Sequence, residues 1–104
     1  MQKNSMVHRD RARSELRSDV SRSGVPVHLH AGLERYVIDH IEPGGFLLAV
    51  LSNDLDKAAM YADVTSWEGL PLTMRFIRNH LTDQMWGSKA IVELWLAGQY
   101  EWRE

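Results

Sequence analysis

A Pro-Gly-Gly turn in front of an apolar segment is the feature of this sequence with the most chemical potential. Pro43, Gly44 and Gly45 precede a run that begins at Phe46 and continues to Leu51. Free backbone N–H groups and the positive end of the helix dipole at such a helix start can bind a phosphate. The segment lacks the Gly-Lys-Ser/Thr of a P-loop. It therefore favours a tight turn between helices, with anion binding as the alternative.

Anion binding at this turn would require guanidinium groups close to the glycines, because an arginine can donate two parallel hydrogen bonds to a phosphate. Three arginines outside the N-terminal segment are candidates for this role: Arg35, Arg75 and Arg78. If the fold brings them to the turn, they would form a phosphate clamp, commonly across an oligomer interface.

The sequence does not predict catalytic residues, a metal site or a cofactor. There is no cysteine, which excludes thiolate ligands and cysteine nucleophiles. His28 and His30 are two residues apart and point to different sides of a helix, and no His-x-x-x-His occurs. No Gly-x-Ser-x-Gly elbow is present. We therefore expect a non-enzymatic protein.

Three further residues are candidates for contacts with a partner. Asn53 lies where an apolar helix should emerge from the core, so its amide can hydrogen-bond a partner or the following loop. Trp86 is expected to close one end of the helical bundle. Trp102, with Tyr100, is either an interface anchor or packs back on the last helix.

The charges divide the chain into two parts of opposite sign. Residues 1–24 carry six basic and three acidic side chains, a net +3, and the other 80 residues carry six and eleven, a net −5. A basic segment of this kind can bind a nucleic acid backbone. The candidates for that contact are Arg9, Arg11, Arg13 and Arg17. The mixture of Arg and Ser in residues 1–24 cannot form a core, so we expect this segment to be a flexible basic arm.

The hydrophobic spacing of residues 25–104 predicts a single all-α domain of about four helices. We expect helices over 26–41, 45–62, about 70–81 and 89–97, with a short turn at 65–69 before Pro71 and a cap at Ser88. The second helix is apolar on every side at its start, so it should be the central helix of the bundle.

The composition is that of one small domain in a reducing compartment. The chain has 104 residues, of which 44% are hydrophobic. Its longest apolar run is too short to span a bilayer, which takes about 20 residues. The first residues do not have the pattern of a secretion signal. We therefore expect a cytoplasmic protein without a membrane contact.

Seven short motifs follow one another between His30 and Leu96. They are Gly-Leu-Glu-Arg-Tyr, Pro-Gly-Gly-Phe-Leu, Ala-Val-Leu, Asn-Asp-Leu, Ala-Asp, Arg-Phe and Trp-Gly-Ser. Their order resembles a family of small helical proteins of bacteriophages and prophage-like elements. The resemblance covers about two-thirds of the chain. It implies a mobile-element origin and a compact helical fold, and it implies no particular site residue.

These observations lead to one expected function and two alternatives. We expect a non-enzymatic binding protein, with a homo-oligomer as one option, that inhibits a host defence system by sequestering a protein target or a signalling nucleotide. The first alternative is a nucleic-acid-binding regulatory module that uses the basic arm. The second is a structural or assembly component of a phage particle.

Overall fold

Seven α-helices and one 3₁₀ turn, without a strand, make up the part of the chain that the structure describes. This computed structural model describes the backbone of residues 2–100 and the side chains of residues 8–100. The elements are α1 (Gln2–Ser21), the 3₁₀ turn (Val27–Leu29), α2 (His30–Asp39), α3 (Gly45–Leu51), α4 (Leu55–Tyr61), α5 (Val64–Glu68), α6 (Leu70–His80) and α7 (Lys89–Leu96). The all-α class is confirmed, whereas the number of helices is larger than the four expected.

The predicted central helix over residues 45–62 is in fact two helices, α3 and α4. Asn53 adopts a left-handed backbone conformation with φ of 60° and so ends the first helix. The Asp54 carboxylate then accepts a 3.1 Å hydrogen bond from the Lys57 N–H and caps the second helix. The chain reverses there. As a result, the ring of Tyr61 at the end of α4 lies against Gly45 at the start of α3.

The predicted break before α6 and the predicted cap of α7 are both found. The short helix α5 ends at Glu68, and α6 begins at Leu70 with Pro71 in its first turn. The cap of α5 is Asp63, which accepts a 2.7 Å hydrogen bond from the Ser66 N–H. Ser88 caps α7 through a 3.2 Å hydrogen bond from the Ile91 N–H.

The N-terminal segment is a packed helix where a flexible arm was expected. Ala12, Leu16 and Val20 recur every four residues along α1, and all three are buried. On their own they could not form a core, but α2 provides the apolar surface against which they pack. The expectation of a flexible arm was wrong for residues 2–21 because it considered only what the segment could bury by itself.

Hydrogen bonds around Trp95 connect α2, α7 and the segment between α6 and α7. The fully buried indole donates from Nε1 to the carbonyl oxygen of Tyr36 over 2.7 Å. The Tyr36 hydroxyl donates to the carbonyl oxygen of Met85 over 2.6 Å. His40 Nδ1 lies 2.7 Å from the carbonyl oxygen of Trp95. These bonds fix α2, α7 and the segment between α6 and α7 relative to one another.

The packing of α1 can be tested with Leu16→Ala, which removes a side chain with 0% exposure. We expect the free energy of unfolding to fall by about 2–4 kcal/mol, as for other buried leucines. Urea unfolding followed by tryptophan fluorescence measures this change. The control Ser18→Ala alters an exposed position of the same helix and should leave the midpoint unchanged. Equal midpoints for Leu16→Ala and the wild type would show that α1 is not packed in solution.

Candidate functional site

A cleft of about 510 Å³ opens between α3, α4 and α7, directly beside the Pro-Gly-Gly turn. Its volume is within the range of about 300–1,000 Å³ that is typical of ligand sites. The lining residues are Glu42, Gly45, Leu48, Ala49, Ser52, Asp54, Lys57, Tyr61, Lys89, Val92, Glu93 and Leu96.

One face of α3 forms the floor of this cleft. Gly45, Leu48, Ala49 and Ser52 are spaced by three, one and three residues, which places them on the same side of a helix. The reversal at Asn53 then makes α4 one wall of the cleft. The other wall is α7, whose start is held at the end of α3 by a 2.8 Å hydrogen bond from the Gly87 N–H to the carbonyl oxygen of Leu51.

The rim of the cleft carries charges of both signs. Lys57 extends from α4 and Lys89 from α7, so the two walls each contribute one ammonium group. The three carboxylates of Glu42, Asp54 and Glu93 lie among them. A ligand would therefore meet an apolar floor together with cationic and anionic groups. This combination suits a peptide better than a polyphosphate, which the carboxylates would repel.

None of the three arginines predicted to form a clamp, Arg35, Arg75 and Arg78, lines the cleft beside the Pro-Gly-Gly turn. Arg78 lies over the ring of Trp86, 5.3 Å from its centroid. Trp86 precedes Gly87, which is bonded to the far end of α3, and a seven-residue helix separates that end from the turn by about 10 Å.

The other predicted contact residues at this turn have structural roles. Gly44 has a φ of 104°, a conformation that favours glycine, and its carbonyl oxygen accepts the first hydrogen bond of α3 from the Leu48 N–H. Phe46 is buried in the core and is not available to a ligand. Of this group, Gly45 alone lines the cleft.

The three other residues predicted to contact a partner are Asn53, Trp86 and Trp102. Asn53 is exposed, and its backbone conformation separates α3 from α4. Trp86 is partly buried and packs against the core. Trp102 lies outside the described residues. Tyr100, its predicted companion, is 40% exposed.

A serine, a histidine and an aspartate meet in a cluster that the sequence did not indicate. His28 Nε2 lies 2.7 Å from Ser66 Oγ and 3.8 Å from Asp63 Oδ2. In a catalytic triad the carboxylate contacts the other ring nitrogen, Nδ1, where it orients the histidine. Here the serine is also buried within α5. The cluster therefore joins the 3₁₀ turn to α5 and does not have the geometry of a nucleophilic site.

The Asp63 carboxyl is occupied by its capping role in this cluster. Hydrogen bonds from the backbone N–H and side chain of Ser66 lower its pKa. No sequence signal pointed to the cluster, since 38 residues separate His28 from Ser66.

Two of the four arginines proposed for nucleic acid contacts form ion pairs within the chain. Arg13 bonds to Glu34 and to Asp39, each over 2.6 Å, and Arg17 bonds to Glu34 over 2.6 Å. Arg9 and Arg11 are exposed on the same helix. Arg13 and Arg17 are therefore engaged by acidic side chains of α2, and Arg9 and Arg11 do not share these partners.

The ion pairs of α1 should make stability depend on pH through Glu34. A hydrogen bond from the Arg17 side chain lowers the pKa of the Glu34 carboxyl below the ordinary value of about 4.3. A lowered pKa in the folded state contributes stability above the unfolded pKa, and that contribution is lost as the pH falls through the folded pKa. We expect the urea midpoint of the wild type to fall between about pH 5 and pH 3.

The variant Glu34→Gln should show a smaller fall over the same pH range, because it has no carboxylate to protonate at this position. Asp83→Asn, at an exposed position between α6 and α7, is the control and should follow the wild-type curve. Parallel curves for Glu34→Gln and the wild type would contradict a stabilising role for these ion pairs.

Within the described residues, no group of three histidine or acidic side chains could hold a metal ion. Among the helices described, none is both long and apolar enough to cross a membrane.

Comparisons with family models, with curated proteins and with solved structures found no match to this chain. The resemblance to phage proteins stays a prediction.

Proposed function

We propose that this chain is a small, non-enzymatic binding protein of a phage or prophage-like element. It inhibits a host defence system in the bacterial cytoplasm by holding a segment of a host protein in the cleft between α3, α4 and α7. The observation that supports binding is the open cleft with its apolar floor and mixed charges. The mobile-element origin rests on the order of the motifs between His30 and Leu96.

The charges of the cleft favour a protein target over a signalling nucleotide. A nucleotide sponge would place arginines around the phosphates, and none of the residues described as lining the cleft is an arginine. The negative groups at Glu42, Asp54 and Glu93 outnumber the two lysines. A peptide that carries both an acidic and a basic side chain can pair with both kinds of group.

The shape of the cleft fits a short stretch of such a peptide. Leu48 on the floor and Leu96 on the α7 side are only partly buried, so apolar side chains of the target would pack against them. Burial of apolar area favours binding, and the affinity is what remains after the cost of ordering the target segment. The charged rim selects the orientation of the segment.

Nucleic acid binding is a second candidate, supported by the exposure of Arg9 and Arg11 on α1. It would be recognised by a steep dependence of affinity on salt. The two functions use different residues and can be separated by mutation.

Two double variants with the same change in net charge distinguish these functions. Lys57→Glu/Lys89→Glu alters the cleft, and Arg9→Glu/Arg11→Glu alters α1. We expect the first to weaken capture of the host protein at least tenfold, because carboxylates of the target would meet like charges. The second should retain capture. Affinity purification from bacteria that express each variant, with quantitative mass spectrometry of the retained proteins, measures the difference.

Three results would contradict the proposal. Loss of capture in the α1 variant alone would exclude the cleft as the site. Retention of DNA, abolished by the α1 variant, would favour the nucleic acid function. A nucleotide-sized adduct in the native mass spectrum of the wild type would favour a sponge.

A further inference from the structure

We propose that the two ends of the cleft differ in charge, and that they recognise one acidic and one basic side chain of the target segment, three or four residues apart. The acidic side chain lies near Lys57 and Lys89, and the basic one lies against the ring of Tyr61 beside Glu42. This inference rests on the proposed function, since it concerns the same cleft. It adds the chemical pattern by which the segment is recognised.

The direction of α4 determines where its cleft residues lie. The chain reverses at Asn53, and the ring of Tyr61 at the end of α4 lies against Gly45 at the start of α3. The helix α4 therefore runs in the opposite direction to α3. Lys57 is two residues after the first residue of α4 and four residues before Tyr61, so it lies nearer to the reversal than to the Pro-Gly-Gly turn.

The direction of α7 is fixed by contacts at both of its ends. The residue before Ser88, Gly87, lies at the end of α3, where its N–H donates a 2.8 Å hydrogen bond to the carbonyl oxygen of Leu51. The last turn of α7 lies beside the end of α2, because the carbonyl oxygen of Trp95 is 2.7 Å from His40 Nδ1. The chain then leads from α2 into the start of α3. The helix α7 therefore also runs opposite to α3, and its first residue, Lys89, lies near the reversal.

As a result, the charges of the cleft are divided between its two ends. Lys57 and Lys89 lie at the end beside the reversal, which we call the lysine end, together with Asp54. The Asp54 carboxylate is engaged there as the cap of α4. Glu42 lies at the opposite end, the turn end, and Glu93 is one helical turn closer to that end than Lys89. The lysine end therefore attracts an acidic group, and the turn end attracts a basic one.

The ring of Tyr61 gives the turn end a surface that a cation can contact. A Cβ at Gly45 would be 3.1 Å from Cγ and 3.3 Å from Cδ2 of this ring, so the lack of a side chain at Gly45 lets the ring lie against α3. Tyr61 is nevertheless 57% exposed. An ammonium or guanidinium group is attracted to the face of an aromatic ring, and the carboxylate of Glu42 adds an opposite charge. A lysine or arginine of the target therefore fits this end.

The length of the floor sets the spacing of the two charged residues in the target. From Gly45 to Ser52 the floor is about 10 Å long, at about 1.5 Å per residue. A helix of this length and about 10 Å in diameter occupies about 800 Å³, more than the cleft volume of about 510 Å³. An extended chain is narrower and advances about 3.3 Å per residue. An extended segment with its charged residues three or four positions apart therefore matches the cleft.

Selection of displayed peptides on the full chain tests this pattern. The probe is a library of random peptides of about eight residues, and the protein is immobilised as the wild type or as a variant. We expect the wild type to enrich peptides with an acidic and a basic residue three or four positions apart, roughly threefold or more over the unselected library. Lys57→Glu/Lys89→Glu should enrich peptides that keep the basic residue and lose the acidic one, whereas Glu42→Lys should do the reverse.

Glu68→Lys is the matched control, because it makes the same change of charge as Glu42→Lys at an exposed position of α5. It should enrich the same peptides as the wild type. Enriched peptides that lack the paired charges, but that change with the cleft variants, would overturn this inference and leave the binding function of the cleft in place. No enrichment by the wild type, or the same peptides for every variant, would overturn both.

Calorimetry with the most enriched peptide tests the role of Tyr61. We expect Tyr61→Leu to weaken binding about fivefold, because it removes the ring that the cation contacts. Tyr61→Phe keeps the ring and should bind nearly as well as the wild type. When norleucine replaces the basic residue of the peptide, the wild type and Tyr61→Leu should bind it equally. An equal loss with both peptides, in a variant that circular dichroism shows to be folded, would overturn the contact between Tyr61 and a cation.

Discussion

The buried Trp95 is the interaction on which the rest of the structure depends. Its indole N–H donates to the carbonyl oxygen of Tyr36, and its own carbonyl oxygen contacts the ring of His40. Trp95 therefore holds α7 to α2 at Tyr36 and to the residue that follows α2, His40. The imidazole also lies 4.4 Å from the indole, centroid to centroid. Along α7 the buried residues are Val92 and Trp95, and of these Trp95 alone makes a side-chain hydrogen bond to another element.

The shape of the cleft depends on the contacts of Trp95. Because α7 is fixed against α2 at Trp95 and against the end of α3 at Gly87, its outer residues Lys89 and Glu93 face α4 across the floor of α3. The reversal at Asn53 completes the second wall. A small domain buries a smaller fraction of its surface than a large one and so has few core contacts. Here the same few contacts stabilise the fold and hold the walls of the proposed binding site in place.

The parts of this fold that were predictable from sequence are those with local causes. Pro71 marks the start of α6, and Ser88 caps α7, because each acts within one turn of helix. The break at Asn53 was missed since the apolar run and the following pattern are both compatible with one long helix. The packing of α1 was missed because it requires the surface of α2. The arginine clamp was a hypothesis about residues far apart in the sequence, and their spacing along the chain does not reveal which of them line one cleft.

The central claim is that the cleft between α3, α4 and α7 holds a segment of a host protein. Photo-crosslinking in living bacteria tests it most directly, with a benzophenone side chain introduced in place of Leu96 inside the cleft or Ala90 on the exposed side of the same helix. The account predicts one discrete host protein crosslinked through position 96 and none through position 90. Equal crosslinking at both positions, or a crosslink through position 96 to a second copy of the chain alone, would contradict it.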